Sequence, residues 1–392
     1  MDTEERYLKT MSYQKHIKRD RIVHEPKYGA ADTSLLFIVI FLLIIGIMTI
    51  FSAAAPKCIA SGLGQFDFVI KQSEMILAGL VVMFWFTRWD YKKLEALTLP
   101  FAWLVIGLLL LVLMCGVTVN GATRWISIGF IQFQPSEMAK PAVALLLASA
   151  FKDNTLITND KIVKYFLPIL IMMGLIYKQP NLSMIIILAL LCVQIYFIAG
   201  GSIKLLFAGA TVGVLGVMFS LKHSAYQMQR VTSWLHPELD PYGKGYNIIQ
   251  SIMAFVAGGV YGTGYGNSRQ KLGWLPEAHT DFIFPVFAEE FGFLGCLLVI
   301  GLFLAFLQRG LIIAKKCPNQ FGKLLASGIT LVICTQAAIN IAVSSSMIPA
   351  TGVPLPFVSY GGTSVVISLG MIGVLLNISR KRTRKIKTNE RF

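Results

Sequence analysis

The segment SLLFIVIFLLIIGIMTIFSAAA occupies residues 34–55 and contains no charged side chain. An apolar run of this length crosses the ~30 Å hydrocarbon layer of a bilayer as a single helix. The run lacks a small-residue cleavage site, and the tail before it, residues 1–33, is too long and too acidic for the basic region of a signal peptide. It is therefore predicted to stay in the protein as a membrane anchor.

The composition of the whole chain extends this prediction. Charged residues make up 14% of the 392 residues and apolar residues 55%, whereas soluble domains are about one quarter charged. Further apolar runs follow, and the predicted spans are 34–55, 68–87, 97–116, 138–151, 165–178, 181–199, 203–220, 282–308, 324–346 and 357–378. The predicted fold class is an all-α polytopic membrane protein with about ten transmembrane helices. The runs 165–178 and 181–199 are alternatively one broken helix, because only Gln179 and Pro180 separate them.

The positive charge of the chain predicts an orientation in the membrane. The chain has 35 Lys and Arg against 20 Asp and Glu, a net charge of +15, and 25 of the basic residues fall on the side that holds both termini. Because cytoplasmic loops are enriched in Lys and Arg, both termini are predicted to be cytoplasmic. The predicted domains are a tail at 1–33, a membrane domain at 34–379 and a basic tail at 380–392. Short basic blocks between apolar runs indicate loops near anionic lipid and argue against nucleic-acid binding.

Two predicted external segments, at 117–137 and 221–281, are long enough to be functional. The second lies between spans seven and eight, begins amphipathic and becomes apolar and glycine-rich at 252–266, which predicts a membrane-surface and re-entrant segment. The six cysteines and five histidines are scattered, so the sequence predicts neither a disulfide framework nor a metal cluster.

Ionisable residues near the predicted membrane boundary are candidates for function, because each is costly there unless it is paired or hydrated. Pro135 suits the first position of a helix, Glu137 then lies in its first turn, and Lys140 follows at i+3 on the same face. A structural ion pair and a contact with substrate are equally good interpretations of Glu137 and Lys140.

A second cluster precedes the eighth predicted span, where Glu277, His279 and Asp281 occur within five residues. Thr280 is predicted to cap the helix, which places Asp281 in its first turn, where a partner of the helix dipole is the simpler interpretation. Cations on the same predicted face, namely Arg124, Lys140, Arg269 and Lys271, favour instead a site for a lipid-linked phosphate. The inner half of the membrane domain is predicted to be mostly apolar, with three isolated polar residues, Gln194, Gln336 and Asn340.

Six motifs occur in order along most of the chain: GATRWIS at 121–127, QPSEMAK at 134–140, QPNLS at 179–183, LPEAHTDFIF at 275–284, AEEFGFLG at 288–295 and PLPFVSYGGTS at 354–364. Together they resemble the SEDS family, the shape, elongation, division and sporulation proteins typified by FtsW and RodA. The resemblance implies ten spans and a peptidoglycan glycosyltransferase that polymerises lipid II outside the cytoplasmic membrane, together with a class B penicillin-binding protein and, for a division member, other divisome proteins.

The resemblance also implies roles for individual residues. Asp281 corresponds to the family's essential aspartate and is expected to be the general base, while Arg124 and Lys140 neutralise the leaving pyrophosphate and Glu137 orients Lys140. Other positions in the motifs and around them are expected to contact substrate, namely Gln134, Ser136, Glu277, His279, Lys271, Ser359 and Tyr360. A divalent cation, Mg²⁺ or Mn²⁺, is a further expectation.

Two positions depart from the family pattern. The common QPDLG reads QPNLS, with Asn181 in place of Asp, and a KLEYLPE-like stretch has Gly273 in place of the acid. Neither position is therefore assigned a catalytic role. The long polar N-terminal tail and the PEAHTDFIF block look more like division members, which implies a location in the bacterial inner membrane at the septum. An elongation-type polymerase, a lipid II flippase or other transporter, and a non-enzymatic scaffold are the alternatives.

Overall fold

The structure is a computed structural model that describes residues 21–62, 64–119, 122–128, 131–153, 155–223, 225–243 and 245–388. Helices dominate it. They are α1 Thr33–Ala60, α2 Asp67–Arg88, α3 Lys92–Cys115, α4 Pro135–Phe151, α5 Leu167–Lys178, α6 Leu182–Ile198, α7 Ile203–His223, α8 Ala225–Leu235, α9 Tyr246–Gly258, α10 Ile283–Lys316, α11 Gln320–Ser344 and α12 Gly362–Arg380. A short helical turn, Asn159–Lys161, and a π-helical turn, Ile162–Phe166, lead directly into α5.

Short strands make the prediction of an all-α protein incomplete. Within the segment 117–137, which is predicted to be external, strands β2 Val117–Val119, β3 Ala122–Ile128 and β4 Ile131–Phe133 form an antiparallel sheet in the order β2-β3-β4. A second antiparallel pair joins β1 Arg21–Tyr28 to β5 Lys381–Thr388. Alternating β-branched and polar residues in VTVNGATRWISI are typical of strands. The segment was nevertheless predicted only as a loop.

The structure supports a polytopic membrane protein. Among the described residues, six helices are long and apolar enough to cross a membrane, namely α1, α2, α3, α10, α11 and α12. The helices α4 to α7 coincide with the four remaining predicted spans, so the count of ten stays a prediction. The segment 354–361 is irregular, and α12 begins only at Gly362, within the predicted span 357–378.

Helix α4 is the centre of the bundle. Every residue of α4 except Met138 and Pro141 is buried, and the helix packs against α3, α6 and α11. Pro135 occupies the first helical turn and Glu137 follows it, as predicted. The chain therefore places the charged residues of QPSEMAK in the protein interior rather than in lipid.

The segment QPN at 179–181 separates α5 from α6. The side chain of Asn181 accepts a hydrogen bond of 3.3 Å from the backbone N–H of Met184 and caps α6. Because Asn and Asp are comparably good caps, the departure from the family pattern preserves this local structure. The two predicted runs are therefore two helices with a break between them.

The segment 221–281 has more secondary structure than its sequence indicates. It contains the end of α7, the amphipathic helix α8, a 3-10 turn at Pro237–Leu239 and helix α9, which packs on α10. Helix α10 is interrupted at Gly292, whose φ of 66° is accessible to glycine. A Cβ atom at Gly292 would lie 2.3 Å from the backbone nitrogen of Gly262, so the close approach of this loop also requires glycine.

Candidate active site

Asp281 lies in a tight turn immediately before α10. The backbone carbonyl of Glu277 accepts hydrogen bonds from the N–H groups of Thr280 and Phe282, at 3.1 and 3.3 Å. Glu277 itself has a φ of +53°, a conformation that is uncommon for a residue with a side chain and often found at functional sites. The turn holds the Asp281 carboxyl group at the mouth of the helix bundle.

The predicted cap of α10 is wrong. Thr280 Oγ1 donates within its own turn, to the Glu277 carbonyl at 3.2 Å and to Glu277 Oε2 at 3.0 Å. Helix α10 begins at Ile283, with Phe282 as an N-cap that provides no side-chain hydrogen bond. The left-handed Glu277 turns the chain before the helix starts, so Asp281 lies outside the first helical turn.

A loop at residues 350–355, here called the mouth loop, faces Asp281. Gly352 has a φ of +67°, and a Cβ atom there would lie 3.3 Å from Asp281 Oδ2. Side chains from three helices donate hydrogen bonds to four backbone carbonyls of the mouth loop. The pairs are Arg230 to Ala350 at 3.2 Å, Ser183 to Thr351 at 2.6 Å, Asn340 to Val353 at 2.7 Å and Gln336 to Pro354 at 2.9 Å. The mouth loop is therefore held firmly against the aspartate.

Ser359 and Tyr360 support the Asp281 turn from the other side. Ser359 Oγ donates to the Thr280 carbonyl at 2.6 Å and accepts from the Leu355 N–H at 2.8 Å. The Tyr360 N–H donates to the carbonyl of His279 at 3.0 Å. Both residues thus connect the chain that follows the mouth loop to the Asp281 turn. Their contact with substrate remains a prediction.

Two guanidinium groups act on the aspartate electrostatically. Arg124, on β3, donates from Nε to the carbonyl of Gln179 at 3.2 Å and from Nη2 to the carbonyl of Pro180. Arg230, on α8, is fixed to the mouth loop, and the neighbouring Trp234 Nε1 donates to the carbonyl of Ser346 at 2.8 Å. The positive charges of both arginines lower the pKa of Asp281. From the sequence, Arg230 is an unassigned residue within the segment 221–281.

The surroundings of Asp281 favour a proton acceptor that works near neutral pH. Part of the residue stays accessible, but loss of hydration inside the protein, with a smaller contribution from the charge of Glu277, raises the pKa of its carboxyl group to about 6. General bases are most effective when their pKa lies close to the working pH. A carboxylate of this kind, under the electrostatic influence of two arginines, suits proton removal beside an anionic group.

His279 is a packed, neutral residue in this structure. Burial and the positive charge of Lys57 lower the pKa of its imidazole to about 4, and its ring stacks edge-on against Phe68 with centroids 4.9 Å apart. A histidine with so low a pKa carries no charge at neutral pH. Its predicted contact with an anionic substrate would therefore depend on a neutral N–H donor.

The predicted pairing of Glu137 and Lys140 is confirmed, because their charged groups are 2.6 Å apart and the side chains are 3% and 1% exposed. Lys140 Nζ also donates to Gln336 Oε1 at 2.6 Å. Gln134 and Ser136 lie at the start of the same helix, where Gln134 Nε2 donates to Ser136 Oγ at 3.1 Å and the Gln134 N–H donates to Thr363 Oγ1 at 3.2 Å. The QPSEMAK block thus forms the enclosed inner wall of the site.

Lys271 belongs to a different buried cluster. Its Nζ donates to Glu290 Oε1 at 3.0 Å, to Ser52 Oγ at 2.7 Å and to the carbonyl of Gly266 at 2.6 Å. Glu289 accepts from Ser268 Oγ at 2.5 Å and from the N–H of Arg269 at 2.9 Å. The acids of AEEFGFLG therefore fix the loop that precedes Asp281, and the structure does not unite Lys271 with the aspartate in a single hydrogen-bonded group.

Gln336 and Asn340 are candidates for function, although the sequence predicted them to be isolated polar residues. They are one turn apart on α11 and contact the mouth loop, rather than being isolated in the inner half of the membrane. Their i, i+4 spacing was the available signal. For a metal ion, no group of three or more His, Cys, Asp or Glu side chains suited to ligation occurs among the described residues, so the expected divalent cation remains a prediction.

The fold and the site together define a polytopic helical membrane protein with a candidate acid–base centre at one mouth of its bundle. The family of cell cycle proteins that comprises FtsW, RodA and SpoVE matches residues 33–384. The chain therefore belongs to the FtsW/RodA/SpoVE family, as its motifs predicted.

Individual relatives are similar over nearly the whole chain. A probable peptidoglycan glycosyltransferase FtsW of Trichlorobacter lovleyi is 37% identical, over 89% of this chain and 93% of its own. The stage V sporulation protein E of Bacillus subtilis is 36% identical, over 90% and 98%. Among solved structures, a chain of a peptidoglycan synthase complex that coordinates polymerization and crosslinking superposes with a TM-score of 0.74 at 30% identity, covering 90% of this chain and 98% of that one. The rod shape determining protein RodA of Thermus thermophilus gives 0.66 at 27% identity, over 90% and 97%.

Proposed function

We propose that this protein is a peptidoglycan glycosyltransferase that polymerises lipid II into glycan strands, with Asp281 as its general base. Relatives named peptidoglycan glycosyltransferase FtsW and the similarity to a peptidoglycan synthase complex support this activity. The observation that carries the assignment of the base is the carboxyl group of Asp281, whose pKa is raised by burial while the positive charges of Arg230 and Arg124 act on it.

The reaction joins two lipid-linked sugars. Asp281 accepts the proton of the acceptor's sugar 4-hydroxyl as its oxygen bonds to the anomeric carbon of the donor. The bond between that carbon and the donor pyrophosphate breaks, undecaprenyl pyrophosphate leaves with the electron pair, and the configuration inverts from α to β. Arg124 and Arg230 stabilise the charge that develops on the pyrophosphate. Lys140 is enclosed in the folded protein, so it acts on the site through the side chains that surround it and not by contact with the substrate.

The protein is a multi-pass membrane protein, and we further propose ten spans with both termini in the cytoplasm, tails at 1–33 and 380–392, and the segment 221–281 outside. This orientation places Asp281 at the outer face, where lipid II is polymerised. We also propose a division role at the septum, a class B penicillin-binding protein as partner and contacts with other divisome proteins. The similarity to proteins named FtsW and to a synthase complex that coordinates polymerization and crosslinking supports this proposal.

Purified protein incubated with lipid II, with and without a class B penicillin-binding protein, tests the function. We expect long glycan strands from the wild type and none from Asp281→Ala. Lipid II crossing proteoliposome bilayers, with no strands formed under any partner or metal condition, would favour the transporter instead.

The pH dependence of polymerisation tests the base. Because Asp281 must be ionised to accept a proton, kcat/KM is expected to fall as the pH drops through about 6. Glu277→Gln removes a charge that raises the pKa of Asp281, so the midpoint moves to lower pH. Arg230→Gln removes a charge that lowers this pKa, so the midpoint moves to higher pH. The exposed Arg269 provides the matched control, since Arg269→Gln should leave the midpoint in place. A midpoint that none of these changes moves would argue against Asp281 as the titrating group.

A further inference from the structure

Asn340 joins the two backbone segments that enclose the Asp281 carboxyl group. Its side-chain nitrogen donates one hydrogen to the backbone carbonyl of Asp281 at 2.9 Å and the other to the carbonyl of Val353 in the mouth loop at 2.7 Å. Asn340 is 1% exposed, so both hydrogen bonds lie in the protein interior. A single amide group therefore fixes the distance between the aspartate turn and the mouth loop.

The chemistry of the contact requires an NH₂ group at this position. Both partners are carbonyl oxygens, which only accept hydrogen bonds, so the amide is oriented with its nitrogen towards them. The Asn340 Oδ1 atom faces the other way and is a buried oxygen for which the described part of the chain provides no hydrogen-bond partner. An unpaired buried acceptor costs about 1–3 kcal/mol, so the residue is poorly explained by stability alone. A role in holding the site accounts for that cost.

The aspartate is sensitive to the position of both segments. Gly352, next to Val353, lies so close that an added Cβ atom would be 3.3 Å from Asp281 Oδ2. Gln336, one turn before Asn340 on α11, holds the following carbonyl of Pro354 at 2.9 Å. A shift of the mouth loop would therefore alter both the hydration and the direction of the carboxylate.

We propose that Asn340 is a positioning residue of the glycosyltransferase site, which sets the Asp281 carboxylate against the mouth loop by bridging the carbonyls of Asp281 and Val353. The proposal rests on the proposed function, because Asp281 must be the base for its position to affect the rate. Asn340 does not touch the substrate; it acts through the backbone of the turn.

The test compares Asn340→Ala with Thr330→Ala in lipid II polymerisation across a range of pH. Thr330 is equally buried on α11, but its hydroxyl donates only to the carbonyl of Ala326, at 2.7 Å, which makes it a matched control. We expect Asn340→Ala to lower kcat about 10- to 100-fold with little change in KM, since small displacements of a catalytic group have effects of this size. Because loss of hydration is the largest cause of the raised pKa of Asp281, loosening the turn should also move the acid midpoint below 6.

Two further measurements keep the proposal testable if Asn340→Ala folds poorly. Asn340→Ser retains a shorter donor for one carbonyl, and we expect an intermediate loss of kcat. Amide hydrogen exchange of a peptide covering residues 277–282 should be faster in both Asn340 variants than in the wild type and in Thr330→Ala.

The outcomes separate the proposal from the function on which it rests. Folded Asn340 variants with wild-type kcat, an unmoved acid midpoint and unchanged exchange at 277–282, alongside an inert Asp281→Asn, would overturn the positioning role only. Normal polymerisation by Asp281→Asn would instead overturn the assignment of the base. A lower melting temperature in Asn340→Ala without any change in the pH profile or exchange would indicate a purely structural residue.

Discussion

Replacing Asp281 by Asn is expected to slow lipid II polymerisation by a factor of about 10² to 10⁴, the usual effect of removing a general base. The substitution keeps the size of the side chain but removes its negative charge and, with it, the ability to accept a proton. The exposed Asp240, also in the segment 221–281, provides the control, because Asp240→Asn should polymerise like the wild type. Comparable rates for Asp281→Asn and the wild type would refute the assignment.

The same substitution should leave the fold intact or slightly more stable. Asp281 has its pKa raised from 3.8 to about 6 in the folded protein, so its contribution to stability is complete below pH about 3.8 and is lost as the pH rises through 6. At neutral pH the ionised carboxylate therefore opposes folding, and a neutral Asn does not. We expect Asp281→Asn to melt no lower than the wild type at pH 7.5, which would show that lost activity is not lost structure.

Removal of the buried cation Lys140 is expected to have the largest effect on stability. Lys140→Met leaves the 3%-exposed Glu137 without its ionic partner, and breaking one side of a buried ion pair costs about 3–5 kcal/mol. The double variant Lys140→Met with Glu137→Gln removes both charges, so most of the free energy of unfolding should return. Melting temperature in detergent, compared across the two single variants and the double variant, measures this coupling.

The double variant also separates the two interpretations of Lys140 that the sequence left open. In this structure the ammonium group is enclosed by Glu137 and Gln336, so we expect the double variant to recover polymerisation as well as stability. If stability recovers but polymerisation does not, Lys140 would instead be a residue that binds the pyrophosphate.

The sequence could predict those features that depend on contacts between residues close together in the chain. The pairing of Glu137 with Lys140 was predictable because they are three positions apart on one helix. The long apolar helices were predictable from their composition. The cap at Thr280 was predicted wrongly, because the left-handed conformation of Glu277 directs the hydroxyl into the preceding turn.

The remainder of the site depends on contacts between distant segments. Asn340 bonds to a residue 59 positions away, and Arg230 bonds to one 120 positions away. No periodicity or motif in a single sequence reports such a contact. The family resemblance therefore predicted the aspartate, whereas the residues that hold it in place emerged only from the fold.

The burial of α4 has a consequence for how the protein is made. This helix has 17 residues and carries Glu137 and Lys140, so it is a poor candidate for stable insertion by itself during synthesis at the membrane. Polar groups within a membrane are stabilised by helices that associate after insertion. The oxygen of Gln336 that receives Lys140 is 196 positions further along the chain, so the ribosome has produced most of the protein before this lysine can find its second partner. The innermost helix is thus among the last to become fully paired during biogenesis.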